Sequence, residues 1–278
     1  IAVKVSDQFS IGGGPIYVTG SVNFNRNISR SLTDENGNRT DVEIDASGVS
    51  AWGWTAGFML SPTEKLRFGF NYRSEITMEA RDGDATFNDV PAFLQSSSDP
   101  NATLLGNTTF DADLPLPAEI TVGASYKVND KLLFAFDYNR AYWSAYEALV
   151  DFHRTPTSNV PQSYNARNYK NASTYRVGAQ YLATDKFAFR LGWYFDESPV
   201  QDGYFAPETP RNDSMGYTGG LTYQITPKLG VDASFLFLHF KEIDNSYDYY
   251  NEDGTNVSFG GTYKNTVFSP GIGLTYSF

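Results

Sequence analysis

Four arginines occupy positions that could hold an anionic group. Each alternates with aliphatic or aromatic residues along its segment, so all four lie opposite an apolar face: Arg67, Arg73, Arg176 and Arg190. A guanidinium offers a planar, bidentate donor that suits the carboxylate of a ligand. The alternative is that each arginine pairs with an acidic side chain of the same wall, the candidates being Glu119, Asp137 and Asp232.

An apolar stripe is the second feature with chemical meaning. In the segment Leu229–Phe240, one face is apolar throughout, while the opposite face begins polar and becomes apolar at Leu236, Leu238 and Phe240. If this second face is the inward one, it predicts a hydrophobic chamber for a ligand, because a water-filled channel would keep it polar. The alternative is that Leu236 and Leu238 pack beneath a loop or plug.

A short apolar island interrupts the polar stretch 80–112. It runs Val90-Pro91-Ala92-Phe93-Leu94 among aspartates and serines. An exposed apolar patch of this kind indicates contact with a ligand or partner, and Phe93 and Leu94 are its candidate contact residues. The alternative is that the island folds back as a local loop core.

The sequence gives little support for a catalytic site or a metal site. The chain has no Cys and two His, at 153 and 239, which argues against thiol catalysis, a Cys zinc site and a catalytic His pair. The run Asp34–Asn38, followed by Asp41, Glu43 and Asp45, has spacing similar to a calcium loop, but Arg39 stands where glycine is expected. We therefore predict a solvated loop, with no enzyme activity, metal or cofactor.

Composition and charge exclude further classes of protein. The net charge of −11 over 278 residues, without clustered Lys or Arg, argues against nucleic-acid binding. No window approaches 18 consecutive apolar residues, so a transmembrane helix is not expected. A membrane strand remains compatible, since its apolar residues alternate with polar ones.

The elements that position these residues have a period of two. Apolar residues occupy every second position in at least five segments, whose apolar faces begin at Trp52, Leu66, Ile120, Tyr175 and Phe187. The intervening positions carry mainly Gly, Thr, Gln and Arg. The pattern predicts strands with one lipid-facing side and one side lining a lumen.

Short and long connections alternate between eleven such segments. Short turns fall at 6–8, 61–64, 129–131, 184–186 and 226–228, and long polar stretches at roughly 30–50, 80–112, 151–172, 197–213 and 242–260. A meander with one short-looped end and one long-looped end is typical of bacterial outer-membrane barrels. Tyr126, Tyr181 and Tyr223 each stand shortly before a short turn, as expected for an aromatic girdle.

Several stretches resemble the FadL family of outer-membrane transporters for long-chain fatty acids and other hydrophobic compounds. They are Trp52–Gly57 with Arg67–Glu75, Leu116–Glu119, Tyr175–Gly178 and Phe195–Val200, and the similarity runs in order over essentially all 278 residues. The resemblance implies an all-β, antiparallel transmembrane barrel of about fourteen strands, of which this chain represents the last eleven. It implies one domain, residues 1–278, which does not include the family's N-terminal hatch and first strands.

The resemblance also sets the functional expectations. It implies passive, ligand-gated diffusion of hydrophobic molecules such as fatty acids. Arg73 and Arg176 lie in the stretches that carry the resemblance, so they are the first candidates to bind a ligand carboxylate. The alternative is a barrel of the same family that acts in docking, secretion or adhesion with other envelope proteins. Expected partners are the hydrophobic ligand, outer-membrane lipid, lipopolysaccharide and the barrel-assembly machinery, which by resemblance recognises a C-terminal Phe such as Phe278.

Overall fold

A computed structural model describes residues 1–28, 32–96, 104–151, 163–207, 210–252 and 255–277. Seventeen strands make up most of these residues: β1 Ala2–Lys4, β2 Phe9–Asn27, β3 Asp41–Leu60, β4 Leu66–Arg73, β5 Ile76–Asn88, β6 Thr108–Leu116, β7 Glu119–Lys127, β8 Leu132–Ala141, β9 Ala148–Asp151, β10 Ser163–Ala166, β11 Ala172–Leu182, β12 Phe187–Asp196, β13 Ser214–Thr226, β14 Leu229–Phe240, β15 Ile243–Glu252, β16 Thr255–Tyr263 and β17 Thr266–Tyr276. The short helix α1, Ala92–Gln95, and a 3-10 turn at Trp143–Ala145 are the helical pieces of the described residues. None of the helices in this part of the chain has the length and apolar character needed to cross a membrane.

Eleven strands follow one another through the main sheet, in the order β1-β2-β3-β4-β7-β8-β11-β12-β13-β14-β17. Every neighbouring pair along this path is antiparallel. These eleven strands correspond to the eleven predicted segments, with the predicted short turns between them. The sheet has thirteen strands in all, because β5 and β6 also join it. In the described residues the path is open, with β1 at one edge and β17 at the other.

The two faces of the main sheet differ in the way the alternation predicts. The outer face carries large exposed side chains, among them Trp52, Phe134, Leu191 and Ile272. Tyr126, Tyr181 and Tyr223 also lie exposed on this face, as the girdle prediction requires. The inner face carries the residues that alternate with these side chains along each strand. Exposed aromatic and aliphatic side chains in such number suit a lipid environment, because water would be a poor solvent for them.

The prediction of polar loops at the long connections was wrong in part. Six strands lie within or beside these long connections: β5, β6, β9, β10, β15 and β16. Of these, β5 pairs with β3 and β6, β9 pairs with β10, and β15 pairs with β16. In addition, β3 begins at Asp41, inside the stretch expected to be loop. Many of these hairpin residues are polar on both faces, so they lack the apolar alternation that reveals the wall strands.

A compact core lies where β3, β5 and β6 pair at the long-connection end of the sheet. Val42, Ile44, Ala85 and Phe110 are almost fully buried there. A Cβ at Gly83 would lie 2.4 Å from the Phe110 ring, so glycine permits this packing. The core therefore holds the β5–β6 hairpin firmly against the extended end of β3. Phe278 and His153, both named from the sequence, lie outside the described residues.

Candidate functional site

A cavity of about 670 Å³ lies along the wall formed by β8, β11, β12, β13 and β14. Between larger polar and charged side chains, the inner face contributes several small ones to its lining, including Ala135, Gly178, Gly192, Thr218 and Gly220. Small residues on neighbouring strands leave the inner surface recessed. This recess has room for a small molecule.

The predicted apolar stripe lies on the inner face beside this recess. Its three members are half-buried, whereas Phe235 and Phe237 between them are exposed on the outer face. Leu236 stands between Thr218 of β13 and Ser269 of β17 in the strand register, and Leu238 stands between Gly216 and Val267. Phe240 pairs with Ser214. The stripe therefore presents apolar side chains flanked mainly by small ones, which leaves room for a ligand against it.

Tyr194 is a lining residue that the sequence analysis did not single out. Register places it between Arg176 of β11 and Gly216 of β13. A Cβ at Gly216 would lie 2.0 Å from the ring of Tyr194, so the ring lies flat against the wall only because Gly216 has no side chain. Its signal in the sequence was an aromatic residue on a face otherwise made of Ala, Arg and Gly.

Arg176 and Asp137 form an ion pair on the cavity wall. Arg176 Nη1 donates to Asp137 Oδ1 at 2.7 Å, since the two residues face each other across β11 and β8. Arg190 donates through Nε to Gln180 Oε1 at 2.9 Å and through Nη1 to Thr222 Oγ1 at 2.7 Å. The Thr222 hydroxyl in turn donates to Asp232, which also accepts a bond from Thr275. The alternative expectation, an arginine paired with an acidic side chain of the same wall, describes Arg176, whereas Arg190 bonds an amide and a hydroxyl.

Arg73 lies away from the cavity, at the long-connection end of β4. Its Nη2 contacts Glu119 Oε1 at 3.0 Å and donates to the Pro117 carbonyl at 3.2 Å. Arg67, near the opposite end of β4, is exposed and has no ion-pair partner among the described residues. Arg73 and Arg176 thus lie apart in the structure, and each has a carboxylate neighbour. Their part in ligand binding stays a prediction.

The apolar island is exposed at Ala92 and Phe93 and buried at Val90 and Pro91. Phe93 in α1 is 68% exposed, Leu94 is half-buried, and Val90 is buried. The backbone N–H of Ala92 donates to Glu35 Oε1 at 2.7 Å. The segment therefore rests against the β2–β3 connection, and its apolar surface is directed outward at Phe93. Neither Phe93 nor Leu94 lines the cavity.

The acidic run at 34–38 forms a hydrogen-bonded turn. Although desolvation opposes it, bonds from the backbone and side chains of Asn36 and Asn38 lower the pKa of Asp34. Those bonds use the carboxylate oxygens that a metal would need. Within the described ranges, no three His, Cys, Asp or Glu residues are grouped to hold a metal ion.

Two comparisons with curated proteins give the chain's relatives. Outer membrane protein P1 of Haemophilus influenzae is 26% identical over 308 residues, which include 100% of this chain and 63% of the relative. The long-chain fatty acid transport protein of Escherichia coli strain K12 is 25% identical over 238 residues, 81% of this chain and 52% of the relative. The chain therefore spans between about half and two thirds of the length of these relatives.

Solved structures share the fold. A Pseudomonas aeruginosa FadL homologue superimposes with a TM-score of 0.77 at 23% identity, over 99% of this chain and 66% of that chain. The toluene transporter TbuX of Ralstonia pickettii gives a TM-score of 0.59 at 21% identity, over 99% and 65%. The sequence also matches, over residues 1–278, the family described as "Outer membrane protein transport protein (OMPP1/FadL/TodX)". The chain belongs to this family of outer-membrane transport proteins.

Proposed function

We propose that this protein passes hydrophobic small molecules across the bacterial outer membrane by passive diffusion between binding sites. The observation that carries the proposal is the inner-face stripe Leu236–Leu238–Phe240, half-buried beside a recess of small residues. A pore for polar solutes would gain nothing from apolar side chains at this place. The gradient of the ligand itself drives the movement.

The proposed route begins outside the cell and ends beyond this part of the chain. Phe93 and Leu94 capture ligand at the external end, because an exposed aromatic side chain on an anchored segment offers a first apolar contact. The ligand then moves to the stripe and the recess. Release depends on the N-terminal region of the family barrel. A ligand that carries a carboxylate, as a fatty acid does, would meet Arg73 or Arg176, each of which already lies beside a carboxylate of the protein.

Mass spectrometry of extracts tests the proposal. The full-length protein is purified in detergent, extracted with organic solvent and compared with an unrelated barrel purified from the same membranes. We expect a hydrophobic small molecule to be enriched in the extract of this protein. Extracts equal to the control would contradict a stably occupied chamber.

The second candidate is a docking or adhesion function, which the external hairpins favour. Tyr204 and Tyr249 stack with ring centroids 4.6 Å apart and their hydroxyls 2.9 Å apart, and Tyr249 is exposed. Tyrosine is enriched in protein interfaces. A docking barrel would retain its partner when the stripe is substituted, whereas a transporter would lose ligand.

A further inference from the structure

The charges of the recess balance one another. Its lining includes four charged side chains, the cations Arg176 and Arg190 and the carboxylates Asp137 and Asp232. Arg176 is in direct contact with Asp137. Arg190 and Asp232 are joined through one hydroxyl, that of Thr222, which accepts from the arginine and donates to the carboxylate. The recess therefore has no surplus positive charge to offer an anion.

A ligand carboxylate would meet a cost at each arginine. To reach Arg176 it must displace Asp137 or lie next to it, and either arrangement leaves two carboxylates competing for one guanidinium. At Arg190, Nε and Nη1 are already engaged by Gln180 and Thr222, and Asp232 lies just behind the Thr222 hydroxyl. Carboxylates held at such short range repel each other, even at side chains as exposed as those of Arg176 and Asp137.

An uncharged hydrophobic molecule meets no such cost. It breaks no ion pair, and it gains apolar contact with Leu236, Leu238 and the ring of Tyr194. Arg67 does not change this balance, because it lies outside the recess, near the short-turn end of β4.

We infer that the recess selects uncharged hydrophobic molecules over hydrophobic carboxylates, with the Arg176–Asp137 ion pair as the main element that excludes the anion. The inference rests on the proposed function, since it names the substrate class of the same chamber. It also changes the role expected of Arg176: instead of binding a ligand carboxylate, Arg176 stays paired with Asp137. Long-chain alcohols and hydrocarbons then fit the recess better than fatty-acid anions.

Binding of two matched probes tests the inference. The full-length protein in detergent is titrated by equilibrium dialysis with radiolabelled 1-dodecanol and with dodecanoate at pH 8, where the acid is ionised. An unrelated barrel in the same detergent supplies the background. The variants are Asp137→Asn, which releases Arg176, and Asp130→Asn, a matched control in an exposed turn whose aspartate pairs with Lys127.

We expect the unsubstituted protein to bind dodecanol at least about tenfold more tightly than dodecanoate, the effect of roughly one charge-assisted hydrogen bond. Asp137→Asn should tighten dodecanoate binding about tenfold and so largely remove the preference for dodecanol, while Asp130→Asn changes neither affinity. Equal or tighter binding of dodecanoate by the unsubstituted protein would overturn the inference, as would an unchanged preference in Asp137→Asn. Failure of both probes to exceed background would instead contradict the proposed function.

Discussion

The ring of Tyr194 lies over the backbone of Gly216, so close that a methyl group on Gly216 would be 2.0 Å from the nearest ring atom. Strand register brings the two residues together across β12 and β13, and the next strand places Leu238 beside Gly216. One glycine thus lets an aromatic ring lie against the wall next to the apolar stripe. The open shape of the recess depends on this contact.

Gly216→Ala should displace the Tyr194 ring from the wall into the recess. The new Cβ cannot share the space of the ring, and a side chain yields more readily than the sheet backbone. We expect weaker binding of an apolar probe, by roughly tenfold if one well-packed ring contact is lost. Dialysis with dodecanol measures it. Gly69→Ala is the control, because a Cβ on that inner-face glycine of β4 meets nothing within 4 Å. Equal affinity in both variants would exclude Tyr194 from the binding surface.

Leu238→Arg should abolish most ligand uptake while the barrel still assembles. The substitution places a charge in the apolar part of the inner face, which already tolerates arginines elsewhere, such as Arg176 and Arg190. Uptake of a labelled hydrophobic compound by cells that carry the full-length protein should fall about tenfold or more. Assembly is followed by resistance of the folded barrel to detergent on unheated gels. Unchanged uptake would remove the stripe from the mechanism.

Leu191→Arg supplies the opposite control for that experiment. Leu191 is 69% exposed on the outer face, so the arginine would face lipid. A lipid-facing arginine costs about 2–4 kcal/mol near the bilayer midplane and less towards the interfaces. Urea unfolding in lipid vesicles should therefore show a loss of stability for Leu191→Arg and little for Leu238→Arg. The reverse order would show that the two faces have been assigned wrongly.

Phe93→Ser should slow capture without affecting the fold. Because Phe93 is 68% exposed, its removal should change the free energy of unfolding by no more than about 0.5 kcal/mol. We expect slower uptake at low ligand concentration and an unchanged rate at saturation, since the inner sites are intact. Initial rates over a concentration series measure this, with Phe93→Leu retaining the apolar contact as the control. Identical rates for Phe93→Ser and Phe93→Leu would argue against capture at this residue.

Acid should loosen the external β15–β16 hairpin through Asp248. Hydrogen bonds from Ser258 and Ser246 lower the pKa of this carboxyl. Because the folded pKa is depressed, the stabilisation is complete above the unfolded pKa of about 3.9 and is lost as the pH falls through the folded value. Hydrogen exchange of the hairpin amides, corrected for intrinsic rates, should rise at acidic pH in the natural protein. In Asp248→Asn it should already be raised at neutral pH, and equal pH profiles for the two would contradict the assignment.

The wall of the sheet could be predicted from sequence because lipid imposes a strict alternation. Residues such as Trp52, Leu191 and Ile272 mark the outer face directly, and their spacing fixes both the strand and the direction of its other side chains. The same rule placed Leu236 and Leu238 on the inner face correctly. The external hairpins escaped prediction because they have no lipid to face, and β15 carries Asp, Asn, Ser and Tyr on both sides.

The pairing of side chains within the site depends on register, which the sequence does not reveal across long connections. The contact of Arg176 with Asp137 requires β11 to align with β8 to the residue, and a shift by one would turn one of them to the lipid. Asp137 was one of three candidate acids, and Tyr194 was not a candidate at all. Alternation predicted which side chains share the lumen, while register decides which of them touch.

The most direct test is photo-crosslinking of a bound ligand. A diazirine-bearing dodecanol is bound to the full-length protein in detergent, irradiated, and the adducts are mapped residue by residue along β14. We predict labelling of Leu236, Leu238 and Phe240 on the inner face, with Tyr194 on the neighbouring wall, and competition by unlabelled dodecanol. Labelling confined to the outer-face residues Phe235 and Phe237, without competition, would contradict a ligand chamber inside this barrel.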